Sequence, residues 1–185
     1  MTWHFRLGYT VLSLLGFRLV WGLVGGYWSR FTTFVAGPGT ILMYIRGSAP
    51  PERSVGHNPL GALSVLALLL LLLIQVATGL FSDDEIASSG PFAKMASGAW
   101  VSLVTSYHAH VGKVVLIALV ILHVGAIVFY RVKKGDNLVA AMLHGDKVLE
   151  QPFISARDDI TTRAMAAIVL MLCGATVASL LQWAG

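Results

Sequence analysis

The residues best placed to do chemistry in this sequence are six histidines: His4, His57, His108, His110, His123 and His144. Nothing else forms a reactive constellation, for there is no nucleophile–base pair, phosphate loop or carboxylate dyad. The one cysteine, Cys173, sits outside any CxxC or CxxCH motif. That excludes an intrachain disulfide, covalent c-type haem attachment and iron–sulfur ligation. No close pair such as HxxxH or HExxH offers a zinc site. Neutral imidazoles on apolar helices suit one chemistry well, the axial ligation of haem iron, with one ligand from each of two helices. The plainer reading of such a histidine is a hydrogen-bonded packing residue or a proton relay.

Spacing favours ligation. His108 and His123 are 15 residues apart, roughly 22 Å along a helix axis and roughly 60° apart in azimuth, so they share a face. His110 and His123 are 13 residues apart, roughly 220° in azimuth, and look in opposing directions. A helix stacking two haems would therefore use His108 rather than His110. His4 is followed by Gly8 and His108 by Gly112, each one turn on, where a missing side chain leaves room for a porphyrin edge. His110 has Val114 at that position. His4 and His108 are the expected axial pair, with His123 as a further iron ligand.

The elements that must hold these residues are transmembrane helices. The chain has 185 residues, 56% of them hydrophobic and 12% charged, with a mean hydropathy of +0.76. Ordinary soluble domains carry about 25% charge. Four apolar segments, about 6–26, 59–81, 107–130 and 164–183, each approach the roughly 20 residues needed to cross a bilayer. The expected fold is an all-α, four-helix transmembrane bundle binding haem between helices, with 1–185 as one domain. Arg18 and the absence of a small-residue cleavage site mark the first segment as a retained helix rather than a signal peptide.

Charge sets the topology. Loop 27–58 carries Arg30, Arg46 and Arg53, and loop 131–163 carries Arg131, Lys133, Lys134, Lys147, Arg157 and Arg163. Loop 82–106 has only Lys94, beside Asp83, Asp84 and Glu85. The basic loops are expected in the cytoplasm and both termini on the outer side, which places His4 and His108 at the same depth. The net charge of +4 thus has a membrane explanation, and no nucleic-acid partner is expected. Asn58 and Pro59 read as the N-cap and first residue of the second span, Gly135 as the stop of the third, and 36–53 as a loop containing a short interfacial helix.

Other residues keep two readings each. Arg18 either pairs with a haem propionate or snorkels to headgroups, and so does Lys113. Gln75 is an interhelical hydrogen bond. Cys173 is a small apolar packing residue. His57, at the membrane edge, caps a helix, contacts a propionate or lines a quinone pocket. His144 is a solvated loop residue. Asp83, Asp84 and Glu85 are solvated or dock a basic c-type cytochrome.

The stretches WHFRLGYTVLSLLGFRLVWGLVGG (3–26), RFTTFVAGPGTILMYIRG (30–47), GHNPLGALSVLALL (56–69), SYHAHVGKVVLIALVILHVGAIVFY (106–130) and NLVAAMLHGDK (137–147) together resemble bacterial membrane-bound cytochromes b of the cytochrome b561 and Ni–Fe hydrogenase cytochrome b-subunit type. The resemblance implies haem b and an outer haem held by His4 and His108. It also implies an inner haem held by His123 and a histidine of a helix preceding the one that starts at His4. This sequence begins at or after the point where that helix would end. His123 is then expected to take its partner from another membrane subunit or from chain upstream of residue 1, or to carry no haem. The resemblance further implies electron transfer in the bacterial inner membrane between the quinone pool and a periplasmic partner such as a c-type cytochrome. The chain would be a subunit of a respiratory-type oxidoreductase rather than a stand-alone enzyme. A haem-poor anchor subunit is the alternative.

Overall fold

The computed structural model describes residues 1–145 and 152–184, the side chains of Pro51 and Arg53 aside. Lys147 and the Arg53 side chain, two of the charges in the topology argument, lie outside the described residues. The helices are α1 (Thr2–Val24), α2 (Phe31–Phe34), α3 (Pro38–Ile45), α4 (Pro59–Phe81), α5 (Gly98–Lys134), α6 (Leu138–His144) and α7 (Ile160–Ala184).

Four of these, α1, α4, α5 and α7, are long and apolar enough to cross a membrane, with 23, 23, 37 and 25 residues. They are arranged so that α7 packs on α1, α1 on α4 and α4 on α5. The core between them is thin, consisting of residues such as Leu15, Ala62, Val104 and Val177. Most large apolar side chains face outward, Ile121, Leu122 and Met171 among them. Water would not tolerate so much continuous apolar surface. Lipid covers it.

Local chemistry explains the boundaries. Asn58 caps α4 by accepting the Gly61 N–H at 2.7 Å, and Pro59 supplies a preset φ at the first position. Gly135 ends α5 at φ +72°, a conformation that favours glycine. Asp159 caps α7, its carboxylate accepting the Thr162 N–H and hydroxyl at 2.8 and 2.9 Å.

The third expected span, 107–130, is the core of a longer helix. Ser97 opens α5 at Gly98, so Ser102, Thr105 and Ser106 lie on a helix instead of in a loop. Their hydroxyls do not break it, because a serine or threonine can bond back to its own helix, as Thr105 does to the Val101 carbonyl at 2.7 Å. The first and last spans begin four residues earlier than expected, at Thr2 and Ile160, because polar residues at their ends stay helical. The interfacial helix expected within 36–53 is α3. Its Tyr44 hydroxyl lies 2.7 Å from that of Tyr130, and the Lys134 ammonium sits over both rings. Cys173 packs toward Gly16, as expected of a small apolar residue.

Candidate functional site

His108 lies where α5 widens into a π-helical turn, Tyr107–Gly112. Such turns are uncommon and concentrate at functional sites. The imidazole is half-buried against α4, and glycine lets it come close: a Cβ on Gly79 would sit 2.7 Å from His108 Cε1. The ring Nδ1 lies 2.8 Å from the Gln75 carbonyl and 3.4 Å from the Thr78 hydroxyl. A carbonyl only accepts, so Nδ1 carries the proton and Nε2 keeps its lone pair. Histidine ligands to metals are commonly held this way, the second nitrogen donating to a carbonyl and raising the basicity of the first.

The second imidazole is His4. Its ring centre is 5.9 Å from that of His108, with the planes at 88°. With metal–imidazole bonds of about 2 Å, two rings on opposite sides of one metal have centres about 6 Å apart. His4 is exposed and Gly8, one turn on, has open space beside it. Two facing imidazoles, that of His108 locked in the ligating tautomer, fit the donor set of a b-type haem.

Gly112 has a different neighbour from the one expected. The Gln75 carboxamide fills the space beside it, with Oε1 only 2.0 Å from where a Cβ would stand. Gln75 Nε2 donates to the His108 carbonyl at 2.9 Å, while Oε1 is buried without a partner among the described residues.

His123 is also tied to α4, its Nδ1 lying 2.9 Å from the Ser64 hydroxyl. Ser64 therefore serves His123, and Gln75 and Thr78 serve His108. Ser64 and Gln75 are 11 residues apart, only about 20° in azimuth, so they form a polar stripe along an apolar helix. That stripe is the signal in the sequence that points to them. His110 and Lys113 are exposed.

Arg18 and His57 come together at the opposite end of α1 from His4. The Arg18 guanidinium donates to the Ser29 carbonyl at 3.0 Å and lies 4.9 Å above the Phe31 ring. A Cβ on Gly22 would strike that same ring at 2.0 Å. His57 lies against Phe34, ring centres 4.6 Å apart and planes tilted by 33°. Burial, and then the positive charge of Arg18, hold the His57 pKa below its usual value. Asn58, not His57, caps α4. His57 and Phe34 border a cleft of 350 Å³ lined also by Trp28, Glu52 and Phe153 among others. The Trp28 indole, on its wall, donates to the Ile154 carbonyl at 2.8 Å.

The acidic loop between α4 and α5 uses the carboxylates of Asp83 and Asp84 internally. Asp84 accepts the backbone N–H groups of Ala87, Ser88 and Ile86, which lowers its pKa. Asp83 accepts that of Glu85, which has a positive φ of 57°. His144 is exposed at the end of α6.

Residues 1–145 match the family model described as prokaryotic cytochrome b561. No curated protein and no solved structure shows significant similarity to the chain.

Proposed function

We propose that this chain, which belongs to the prokaryotic cytochrome b561 family and so is a multi-pass membrane protein of transmembrane haem b electron transfer, ligates its haem iron through His4 and His108. The observation that carries this reading is the pairing of the two imidazoles 5.9 Å apart, with the Nδ1 proton of His108 committed to the Gln75 carbonyl. When bound, haem iron between two imidazoles accepts and releases one electron at a time. The residues of the chain do the rest. Gly79 lets His108 rest on α4, the Gln75 carbonyl fixes its tautomer, and the apolar helices exclude water from the iron's surroundings.

His123, fixed by Ser64, is the ligand available for a second haem. The cleft beside His57 is the quinone site. Aromatic walls at Trp28, Phe34 and Phe153 suit a planar ring, and the His57 imidazole suits a quinone oxygen. The distribution of basic residues supports a cytoplasmic position for that cleft and a periplasmic position for His4, His108 and both termini. Electrons would thus pass between the quinone pool and a periplasmic partner such as a c-type cytochrome. Lys113, near His108, is available to a propionate; Arg18, held at the His57 end, is available to a propionate of the second haem.

A reduced-minus-oxidised spectrum of the purified chain, supplied with haem, tests this reading. A b-type α band that disappears in both His4→Ala and His108→Ala is expected. Its absence from the unaltered protein would leave the chain as a haem-poor anchor of a larger redox complex.

A further inference from the structure

Gln75 and His108 are joined by more than the bond that fixes the tautomer. The side chain of Gln75 reaches across the helix interface and donates to the main-chain carbonyl of His108 at 2.9 Å. That carbonyl belongs to the π-helical turn Tyr107–Gly112, where main-chain pairing shifts from the fourth to the fifth residue. A side chain inserted at such a turn stabilises the wider winding by taking up a group that the regular ladder would have used. The orientation of the carboxamide is unambiguous, because only its NH₂ can face a carbonyl. Its oxygen is thereby turned into the interface, where it is buried without a partner among the described residues. Gly112 makes the insertion possible, since any Cβ there would overlap that oxygen at 2.0 Å.

We propose that Gln75 is a positioning residue for His108: its carboxamide holds open the π turn that aims the imidazole, while its main-chain carbonyl sets the imidazole's proton. The inference rests on the reading of His108 as an iron ligand. Loosening the turn lengthens the Nδ1–H bond to the carbonyl, which makes Nε2 a poorer donor. A poorer donor takes more stabilisation from ferric than from ferrous iron, so the reduction potential of a bound haem would rise.

The test is a redox titration of haem-loaded protein, with low-temperature electron paramagnetic resonance, on Gln75→Met, Gly112→Ala and the double variant. Gln75→Met keeps the length of the side chain and loses its donors. It should retain haem, and the preference for ferric over ferrous iron should fall about tenfold, an upward shift of about 59 mV for a one-electron couple. The low-spin signal should move with it. Gly112→Ala keeps the glutamine but drives its carboxamide off the carbonyl, so it should shift the potential the same way. Because both act through one contact, the double variant should shift no further than Gln75→Met alone.

An unchanged potential and signal in Gln75→Met, or additive shifts in the double variant, would overturn the proposal. If Gln75→Met does not accumulate, Gly112→Ala alone carries the expectation, and an unchanged potential there is equally fatal. His108→Ala separates the two levels. Retention of the wild-type α band in that variant defeats the ligand assignment itself, whereas its loss beside an unchanged Gln75→Met defeats only the positioning role.

Discussion

His108 and Gln75 hold each other in both directions: the imidazole Nδ1 donates to the Gln75 carbonyl at 2.8 Å, and the Gln75 carboxamide donates to the His108 carbonyl at 2.9 Å. The ring, its tautomer and the local winding of α5 are therefore set by one residue of α4. His123 repeats half of this arrangement further along the same two helices, with Ser64 as its partner. Two histidines of one helix thus lean on one polar stripe of the next.

Substitution of the histidines should sort them by role. Isolated protein should bind one haem per chain, with His4→Ala and His108→Ala each abolishing it and His110→Ala leaving it bound. His123→Ala should leave that α band in place, because its ring is bonded to Ser64 rather than placed beside His4. Pyridine haemochrome assay against protein concentration gives the ratio for each variant. Loss of haem in His110→Ala with retention in His108→Ala would falsify the pairing.

Gly79→Ala is expected to be costly despite adding one methyl group. The new Cβ would stand 2.7 Å from His108 Cε1, so the ring or the helix must move. Overpacking of this kind costs about 1–3 kcal/mol, and here the displaced group is the ligand. Thermal unfolding should occur at a lower temperature and haem should dissociate more readily. A variant with wild-type unfolding and haem content would show that α4 yields freely at this point.

The nearness of the His4 and His108 rings, 5.9 Å between centres, is what a common depth read from apolar runs and charge bias leads one to expect; their joint ligation of iron is the proposal built on it. The surroundings of His108 were harder to read. Counting about 100° per residue assumes α geometry, and the π turn at Tyr107–Gly112 departs from it at the residue in question. Gly112 looked like space for a porphyrin, yet Gln75 occupies that space, since a long polar side chain in lipid seeks the nearest unpaired carbonyl. The joining of Arg18 to Ser29, Phe31 and His57 depends on how the connection from α1 to α4 folds back, and no periodicity encodes that. The early start of α5 was hidden by Ser102, Thr105 and Ser106, hydroxyl residues that suit helix and loop alike.

The cap on α4 can be tested separately from the haem. Asn58 accepts the Gly61 N–H at 2.7 Å, and replacing a cap by alanine costs about 0.5–2 kcal/mol. Asn58→Ala should lower the unfolding temperature, whereas Asn58→Asp or Asn58→Ser should recover most of the loss. An Asn58→Ala protein as stable as wild type would mean that Pro59 alone fixes the start of the helix.

His57 should make stability depend on pH in a defined direction. Burial first, and the Arg18 charge second, hold its folded pKa below the ordinary value, whereas the unfolded chain titrates near about 6.5. Above that pH the imidazole is neutral in both states and contributes no pH dependence. As pH falls through about 6.5 the unfolded chain takes up a proton that the folded protein refuses, so stability declines until the folded pKa is reached. His57→Gln, which cannot be charged, should flatten that part of the profile while keeping a polar group beside Phe34. Unfolding temperatures in detergent between roughly pH 8 and pH 5 measure both. A wild-type profile that rises on acidification, or a His57→Gln profile identical to it, would assign the dependence to another group.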